Sequence, residues 1–492
     1  MSETPSTDPH HSRRWLILGV IALAQLIVVL DVTIVNIALP SAQADLGFSD
    51  DSRQWVVTAY ALAFGSLLLL GGKLSDLFGR KRTLLAGLAG FAGASAIGGA
   101  APSFEVLIAA RALQGLFAAL LAPAALSILT TTFTDPTERG KAFGVYGAIA
   151  GSGAAVGLLL GGVLTEFLSW RWTMYVNLVL AVPAAIAAGR LLVNMKPAVR
   201  PRIDLPGVLA ATTGLFALVY GFTNAETDGW GAPLTVAMLA VGVLALAGFV
   251  AIQRRAAHPL LPLRVVTDRN RGAAFLGVGI AAIAMFATFL FLTYYLQQSL
   301  GFSPIESGLA FLPMVVVLMA TATAASTRLL PRVGPRPLVP GGMALSALGL
   351  AYLTGVEVDS TYAGSVLPGL LLMGAGFGLV MAPSMATATQ GVAASDAGVA
   401  SATVNTMQQI GGSIGTAFLS TMFASAVSGF AAPAGVPAQL AQAEAAVHGY
   451  AVAFWWAAGA LAVGAVVTLL LFTGRERAVP QLATSQPAHE LG

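Results

Sequence analysis

The 492-residue chain has no cysteine, which excludes disulfides, thiol nucleophiles and thiolate metal sites. Its five histidines are His10, His11, His258, His448 and His489. All fall between or beyond the apolar runs, so no histidine metal cluster and no intramembrane histidine relay can be assembled. No phosphate-cradling loop is present either. Without a metal set, a thiol, a histidine base or a nucleotide loop, the sequence calls for no cofactor and does not read as an enzyme, and direct ATP drive finds no support. Charge is scarce as well. Asp, Glu, Lys and Arg make up 10% of residues and hydrophobic types 57%, whereas a soluble chain carries about 25% charged residues. Mean hydropathy is +0.80. The fold class expected is an all-α polytopic membrane protein.

Fourteen apolar runs reach spanning length, at about 15–39, 54–71, 83–101, 104–126, 142–164, 172–192, 205–223, 232–252, 273–297, 307–329, 338–355, 363–382, 398–425 and 450–472. The first is too long for the apolar core of a signal peptide and reads as a retained span. Soluble structure is confined to tails and to segments near 193–204, 253–272 and 426–449, the last either an exposed loop or a short surface hairpin. The formal net charge of +3 hints at nucleic acid only until positions are plotted. All but three of the 25 Lys and Arg residues fall on one side of these spans; Arg53 and Arg171 fall on the other and Arg111 within a span. The opposite side carries Asp45, Asp50, Asp51, Glu105, Glu226, Asp228, Glu306, Glu357 and Asp359. The positive-inside rule places both termini in the cytoplasm. The basic residues are then orientation signals, and no nucleic-acid partner is expected.

The halves repeat. Arg111–Pro123 lays on Leu371–Pro383 with Phe and Ala-Pro shared, Gly153 and Gly157 lie on Gly411 and Gly415, and Gly79 lies on Gly334. Matches in order at nearly one offset imply two homologous six-span bundles, 15–192 and 273–472, between tails 1–14 and 473–492. Segment 193–272 then carries an inserted pair, spans seven and eight. Parallel repeats around a central cavity are a transporter architecture.

One charged residue organises the rest. Asp31 lies inside the first run, in Leu30-Asp-Val-Thr-Ile-Val-Asn-Ile-Ala-Leu-Pro40. A carboxylate there must be protonated, paired or facing water, and by default marks a functional site, here a proton carrier. Span four contains Arg111, Gln114 and Gly115; positions i and i+3 share a helix face. Asp31 and Arg111 each sit roughly four residues outward of a span centre, about 6 Å above the midplane at 1.5 Å per residue. At matched depth the two are expected to be close or joined through water. Either they form a fixed ion pair, or the pair separates in one conformation so that Asp31 takes a proton. The loop Gly72-Lys-Leu-Ser-Asp-Leu-Phe-Gly-Arg-Lys-Arg82 reads as a charged cytoplasmic latch of Gly72, Asp76, Gly79 and Arg80, with Gly79 suited to positive φ. Gly153, Gly157 and Gly161 make a smooth helix face for close approach, serving packing alone or a seam where the halves rock. Ser401, Asn405, Gln408 and Gly412 form a polar stripe facing another helix or the cavity. Phe286 and Phe289, among the aromatics of span nine, offer a surface for flat cations. With Asn36, Asn405 and Gln408 they are the candidate cavity residues.

Together these residues give a resemblance. The chain resembles the fourteen-spanner drug/proton antiporters of the major facilitator superfamily from about Trp15 to Phe472. The motif at 30–40 is similar to the family's first-span motif, Gly72–Arg82 to the superfamily's loop motif, and Arg111-x-x-Gln-Gly115 to the span-four motif linked to proton transfer. Trp170-Arg-Trp with Asn177, and Tyr295-Leu-Gln-Gln with Gly308 and Pro313, are also similar to family positions. Two departures stand out: Leu158 where the span-five motif has proline, and Leu178-Val179 where valine-proline often follows Asn177. The resemblance implies a monomeric exporter in the bacterial inner membrane. Its partners would be protons, the bilayer and lipophilic, cationic small molecules, with no nucleotide and no metal. Asp31 would bind the proton, tuned by Arg111 and Gln114, with Asp204 and Glu166 as secondary acids. The alternatives are a dedicated exporter of one metabolite or antibiotic, and a non-transporting membrane sensor or scaffold.

Overall fold

The computed structural model describes residues 13–49, 52–133, 135–193, 204–257, 259–390, 392, 397–431 and 437–473. Among them there is no strand. Fourteen helices of 19 residues or more follow one another. The first six are α1 (Arg14–Leu46), α2 (Gln54–Phe78), α3 (Arg80–Gly99), α4 (Phe104–Thr132), α5 (Pro136–Phe167) and α6 (Trp172–Leu191). The next two are α7 (Leu205–Asp228) and α8 (Pro233–Arg255). The last six are α9 (Arg269–Tyr294), α10 (Pro304–Ala324), α11 (Pro335–Leu353), α12 (Leu367–Thr389), α13 (Ala397–Ser428) and α14 (Ala438–Leu471). Ten of the described helices are long and apolar enough to cross a membrane. Helices α2, α3, α5 and α11 are not among them. In α3 apolar length is diluted by glycine and by the opening Arg80-Lys81-Arg82, and in α11 by Pro335-Arg336-Pro337 and Pro340.

The segment expected to be a loop or hairpin at 426–449 is mostly helix. Helix α13 runs on to Ser428 and α14 starts at Ala438, twelve residues before the apolar run. The polar turn Gln439–His448 continues the helix because Ala, Gln and Glu are good helix formers whatever their hydropathy. Asp204 caps α7, its Oδ1 accepting from the Gly207 backbone N–H at 2.9 Å and its Oδ2 from Gln253 at 2.6 Å. Its contacts are those of a helix cap.

Packing repeats between the first and last six helices. Helix α1 lies on α5 and α6, α2 on α4, and α3 on α4 and α6; α9 lies on α13 and α14, α10 on α12, and α11 on α12 and α14. Register repeats too. A Cβ at Gly157 would press on Thr33 and stand 3.2 Å from the Leu30 carbonyl oxygen, and one at Gly415, its repeat, would stand 2.5 Å from the Ile283 backbone. Gly79 and Gly334 break the chain between α2 and α3 and between α10 and α11, with φ of +91° and +75°. The two sets meet through α2 on α13 and α5 on α10, which are symmetry-related contacts, since α10 and α13 are the repeats of α2 and α5. Helices α7 and α8 pack on each other, α7 also touching α13 and α2, around a small core of their own at Val208, Ala211, Phe249 and Leu260. Large apolar side chains face outward on α6, α8 and α14, including Ile186, Leu244 and Leu470, as lipid contact requires.

Candidate functional site: a buried carboxylate and its donors

Helix α1 packs on both α4 and α6 inside the first set, and there polar side chains of all three helices meet. Asp31 is fully buried. Its Oδ2 accepts from Arg111 Nη1 at 2.6 Å, and its Oδ1 from Gln114 Nε2 at 2.9 Å and Asn177 Nδ2 at 2.6 Å. Arg111 also donates to the Gln114 side-chain oxygen at 2.8 Å and, through Nε, to the Val56 carbonyl at 3.0 Å. Its guanidinium carbon lies 4.5 Å from the Tyr60 ring centroid. Gln114 donates onward to Ser95 at 2.8 Å. Every named contact to Asp31 is from a donor, so its oxygens act as carboxylate acceptors, and charge-assisted bonds of this kind are the strong ones. The depth estimate had set Asp31 and Arg111 level; the structure brings them into contact.

Sequence reasoning quoted Asn177 only as a motif position and missed Ser95 and Tyr60. The signal for Asn177 was an amide well inside an apolar run, the same signal that singled out Asp31. Among the described residues the buried Asn177 Oδ1 and Tyr60 hydroxyl have no hydrogen-bond partner, so the network retains unused acceptor and donor capacity beside the carboxylate.

The other predicted residues lie elsewhere. Gly153, Gly157 and Gly161 face α1 at Val29, Thr33 and Ile34, so this glycine face packs within the first set. The residues of α5 that meet α10 include Leu158 and Gly162, against Gly308 and Ile305. The seam between the sets thus uses the other face of α5, the face on which leucine stands in place of proline. Gly72 ends no close contact, with Pro123 3.8 Å from its Cβ position. Arg80 lies by Ile128, Thr131 and Leu192 of the first set, and Lys81 donates to the Gly189 carbonyl at 2.7 Å. The Asp76 side chain falls outside the described residues. Phe286 rests on Gly412, and Phe289 lies 5.1 Å from Phe311. Both are packed between helices of the last set, not on an open surface. Asn405 is half-buried and donates to the Ser401 carbonyl at 3.2 Å, and Gln408 is half-buried. Asn36 donates to the Val32 carbonyl at 3.1 Å, while its buried Oδ1 has no partner among the described residues. Glu166 accepts from the Ile305 backbone N–H at 3.1 Å, linking α5 to the start of α10. Among the described residues no group of three metal-ligating side chains occurs.

The sequence profile of the Major Facilitator Superfamily matches residues 21–416. The chain belongs to this superfamily. It is 50% identical over 475 residues to the puromycin resistance protein pur8 of Streptomyces alboniger, covering 96% of this chain and 94% of that one. It is 40% identical over 467 residues to the cephamycin export protein CmcT of Amycolatopsis lactamdurans, covering 94% and 92%. Among solved structures it resembles the POT family transporter PepTSo with a TM-score of 0.67 at 16% identity, covering 92% of this chain and 97% of that one; at that identity the likeness speaks for the fold. The superfamily member described here is a multi-pass inner-membrane transporter of the efflux type, not an enzyme.

Proposed function

We propose that this protein exports lipophilic organic cations from the cytoplasm in exchange for protons by alternating access, with Asp31 as the proton-binding group. The observation that carries the reading is the buried Asp31 carboxylate with Arg111, Gln114 and Asn177 as its donors. In this state the charges of Asp31 and Arg111 cancel. A proton on Asp31 would leave Arg111 charged in a dry site, which costs several kcal/mol. Protonation is therefore tied to a state in which the pair separates or water arrives. A ligand shifts such an equilibrium only by binding its states unequally, and loss of the Asp31 charge supplies that difference.

All fourteen helices would cross the membrane, with both termini cytoplasmic. Residues 15–192 and 273–472 form two bundles and 193–272 carries the inserted pair, the whole working as a monomer. The recurring helix pairs and the bias of Lys and Arg support this arrangement. Gly72, Asp76, Gly79 and Arg80 would latch the cytoplasmic side. Asn36, Asn405 and Gln408 would line the path, and Phe286 and Phe289 would join it only if α9 moves from α13. A second reading, a dedicated exporter of one antibiotic, is favoured by the relatives named for puromycin and cephamycin.

The test is transport of ethidium and of puromycin in proteoliposomes driven by a pH gradient, wild type against Asp31→Asn. Uptake of both by the wild type and neither by a folded mutant is expected. Gradient-driven uptake by Asp31→Asn would move the proton site elsewhere, and uptake of puromycin alone would favour the dedicated exporter.

A further inference from the structure

Arg53 is one of two basic residues on the side opposite the termini, and it is 2% exposed. It precedes α2 in the first set, yet its guanidinium lies among rings of the last set. Its central carbon is 4.1 Å from the ring centroid of Tyr294, 4.8 Å from Phe423 and 5.9 Å from Phe291. Tyr450 closes the group, 5.0 Å from Phe423, and Phe291 stacks on Phe423 at 5.5 Å and 20°. These rings come from α9, α13 and α14, which pack on one another within one set, so the box does not depend on Arg53 for its assembly. Other bonds across the two sets lie at the same end: Tyr294 to Gln43 at 2.6 Å, Gln297 to the Ile37 carbonyl at 3.1 Å, and Ile305 to Glu166 at 3.1 Å. This end is closed here, and alternating access requires it to part. When it parts, the rings stay with their set and Arg53 leaves with the other.

Ring faces carry negative potential and attract guanidinium and quaternary ammonium groups alike, more strongly where water is excluded. We propose that Phe291, Tyr294, Phe423 and Tyr450 form an organic-cation site, filled by Arg53 while this end is closed and by the departing cation once it opens. The exit step rests on the reading of the protein as an exporter of organic cations. Return of Arg53 competes with the bound cation, so closure and release become one exchange. A neutral substrate escapes that competition.

Because the chain lacks cysteine, Leu168→Cys with Asp359→Cys takes two spin labels at this end without other changes. In the Arg53→Ala background the label separation is expected to lengthen. Millimolar n-propylguanidinium is expected to restore the short separation, and its neutral analogue n-propylurea is not. Adding Phe423→Leu, which keeps the bulk and removes the ring, should abolish that rescue. No lengthening, or equal rescue by the urea, would overturn the cation site. Should Arg53→Ala fail to fold, Phe423→Leu alone is expected to lengthen the separation in part, and an unchanged separation would count against the site. In proteoliposomes, Phe423→Leu is expected to slow efflux of tetraphenylphosphonium about fivefold relative to a neutral substrate. Equal slowing of both would overturn the exit step. Failure of the wild type to move either probe would remove the exporter reading and the exit step with it, while the labels decide the cation site independently.

Discussion

The two halves of this transporter use one packing plan for different ends. In the first, Gly157 seats α5 on Thr33 and Leu30 of α1, and Gly115 seats α4 on Tyr60 of α2. In the second, Gly415 seats α13 on Ile283 of α9, and Gly374 seats α12 on Met314 of α10. With Ile283 in the place of Thr33, Ala281 stands where Asp31 does; the helix contacts put Gly374 in the place of Gly115, one residue before the sequence match of Arg111 with Leu371, so Leu370 and Met373 stand where Arg111 and Gln114 do. Ala281, Leu370 and Met373 are as fully buried as their polar counterparts. The crossing of these helices therefore does not need charge, since one half achieves it with apolar side chains alone. The ion pair is an addition to the plan. Buried pairs are on balance poor stabilisers against apolar replacements, and the proposed proton-binding role would give this one its reason.

That comparison can be broken most severely at the pair itself. Asp31→Asn alone leaves Arg111 buried without its counter-charge and is expected to cost about 3–5 kcal/mol. The double variant Asp31→Asn with Arg111→Gln, which makes the first half resemble the second in charge, should regain most of that loss in thermal unfolding while remaining inactive in gradient-driven transport. Recovery of transport along with stability would mean that the pair is structural. The next effect is on packing. Gly157→Leu and Gly415→Leu should each lower stability by about 2–3 kcal/mol, because each close approach is backbone to backbone or to a β-branched side chain. Unequal losses in parallel unfolding curves would show that the halves do not share one plan.

Smaller effects sharpen the account. Asn177→Ala removes one of the donors to Asp31 and is expected to cost about 1–2 kcal/mol and to slow transport without abolishing it. A variant as inactive as Asp31→Asn would promote Asn177 to an indispensable role. At the bottom of the scale, Gly79→Ala and Gly334→Ala force alanine into positive φ and should each cost about 1–2 kcal/mol. Similar shifts in melting midpoint are expected, with little change in transport for Gly334→Ala.

Much of this was legible in sequence because membrane constraints are strong. An apolar run must be a helix when it meets lipid, and a carboxylate or guanidinium within one must find a partner, which is how Asp31 and Arg111 were matched by depth. The glycine pattern likewise announced close helix approach, and the repeat between Gly153–Gly157 and Gly411–Gly415 survives in their partners. What the pattern does not carry is azimuth. Nothing in the spacing of Gly153, Gly157 and Gly161 says whether that face meets α1 or α10, and Leu158 and Gly162 had to be found on the other face. The same holds for Phe286 and Phe289, since an aromatic run does not reveal that its rings rest on Gly412 and Phe311. In the sequence Arg53 stands out only as one of two basic residues, with Arg171, on the less basic side. Its aromatic box draws on α9, α13 and α14, residues more than 200 positions away that no local pattern links to it.

The most direct test of the central claim is proton release on substrate binding. Purified protein in weakly buffered detergent solution is mixed with tetraphenylphosphonium, and the pH change is followed for the wild type and for Asp31→Asn with Arg111→Gln. If substrate and proton compete through Asp31, the wild type releases protons, and the double variant binds the cation and releases none. Cation binding without proton release by the wild type, or the same release by both proteins, would contradict the account.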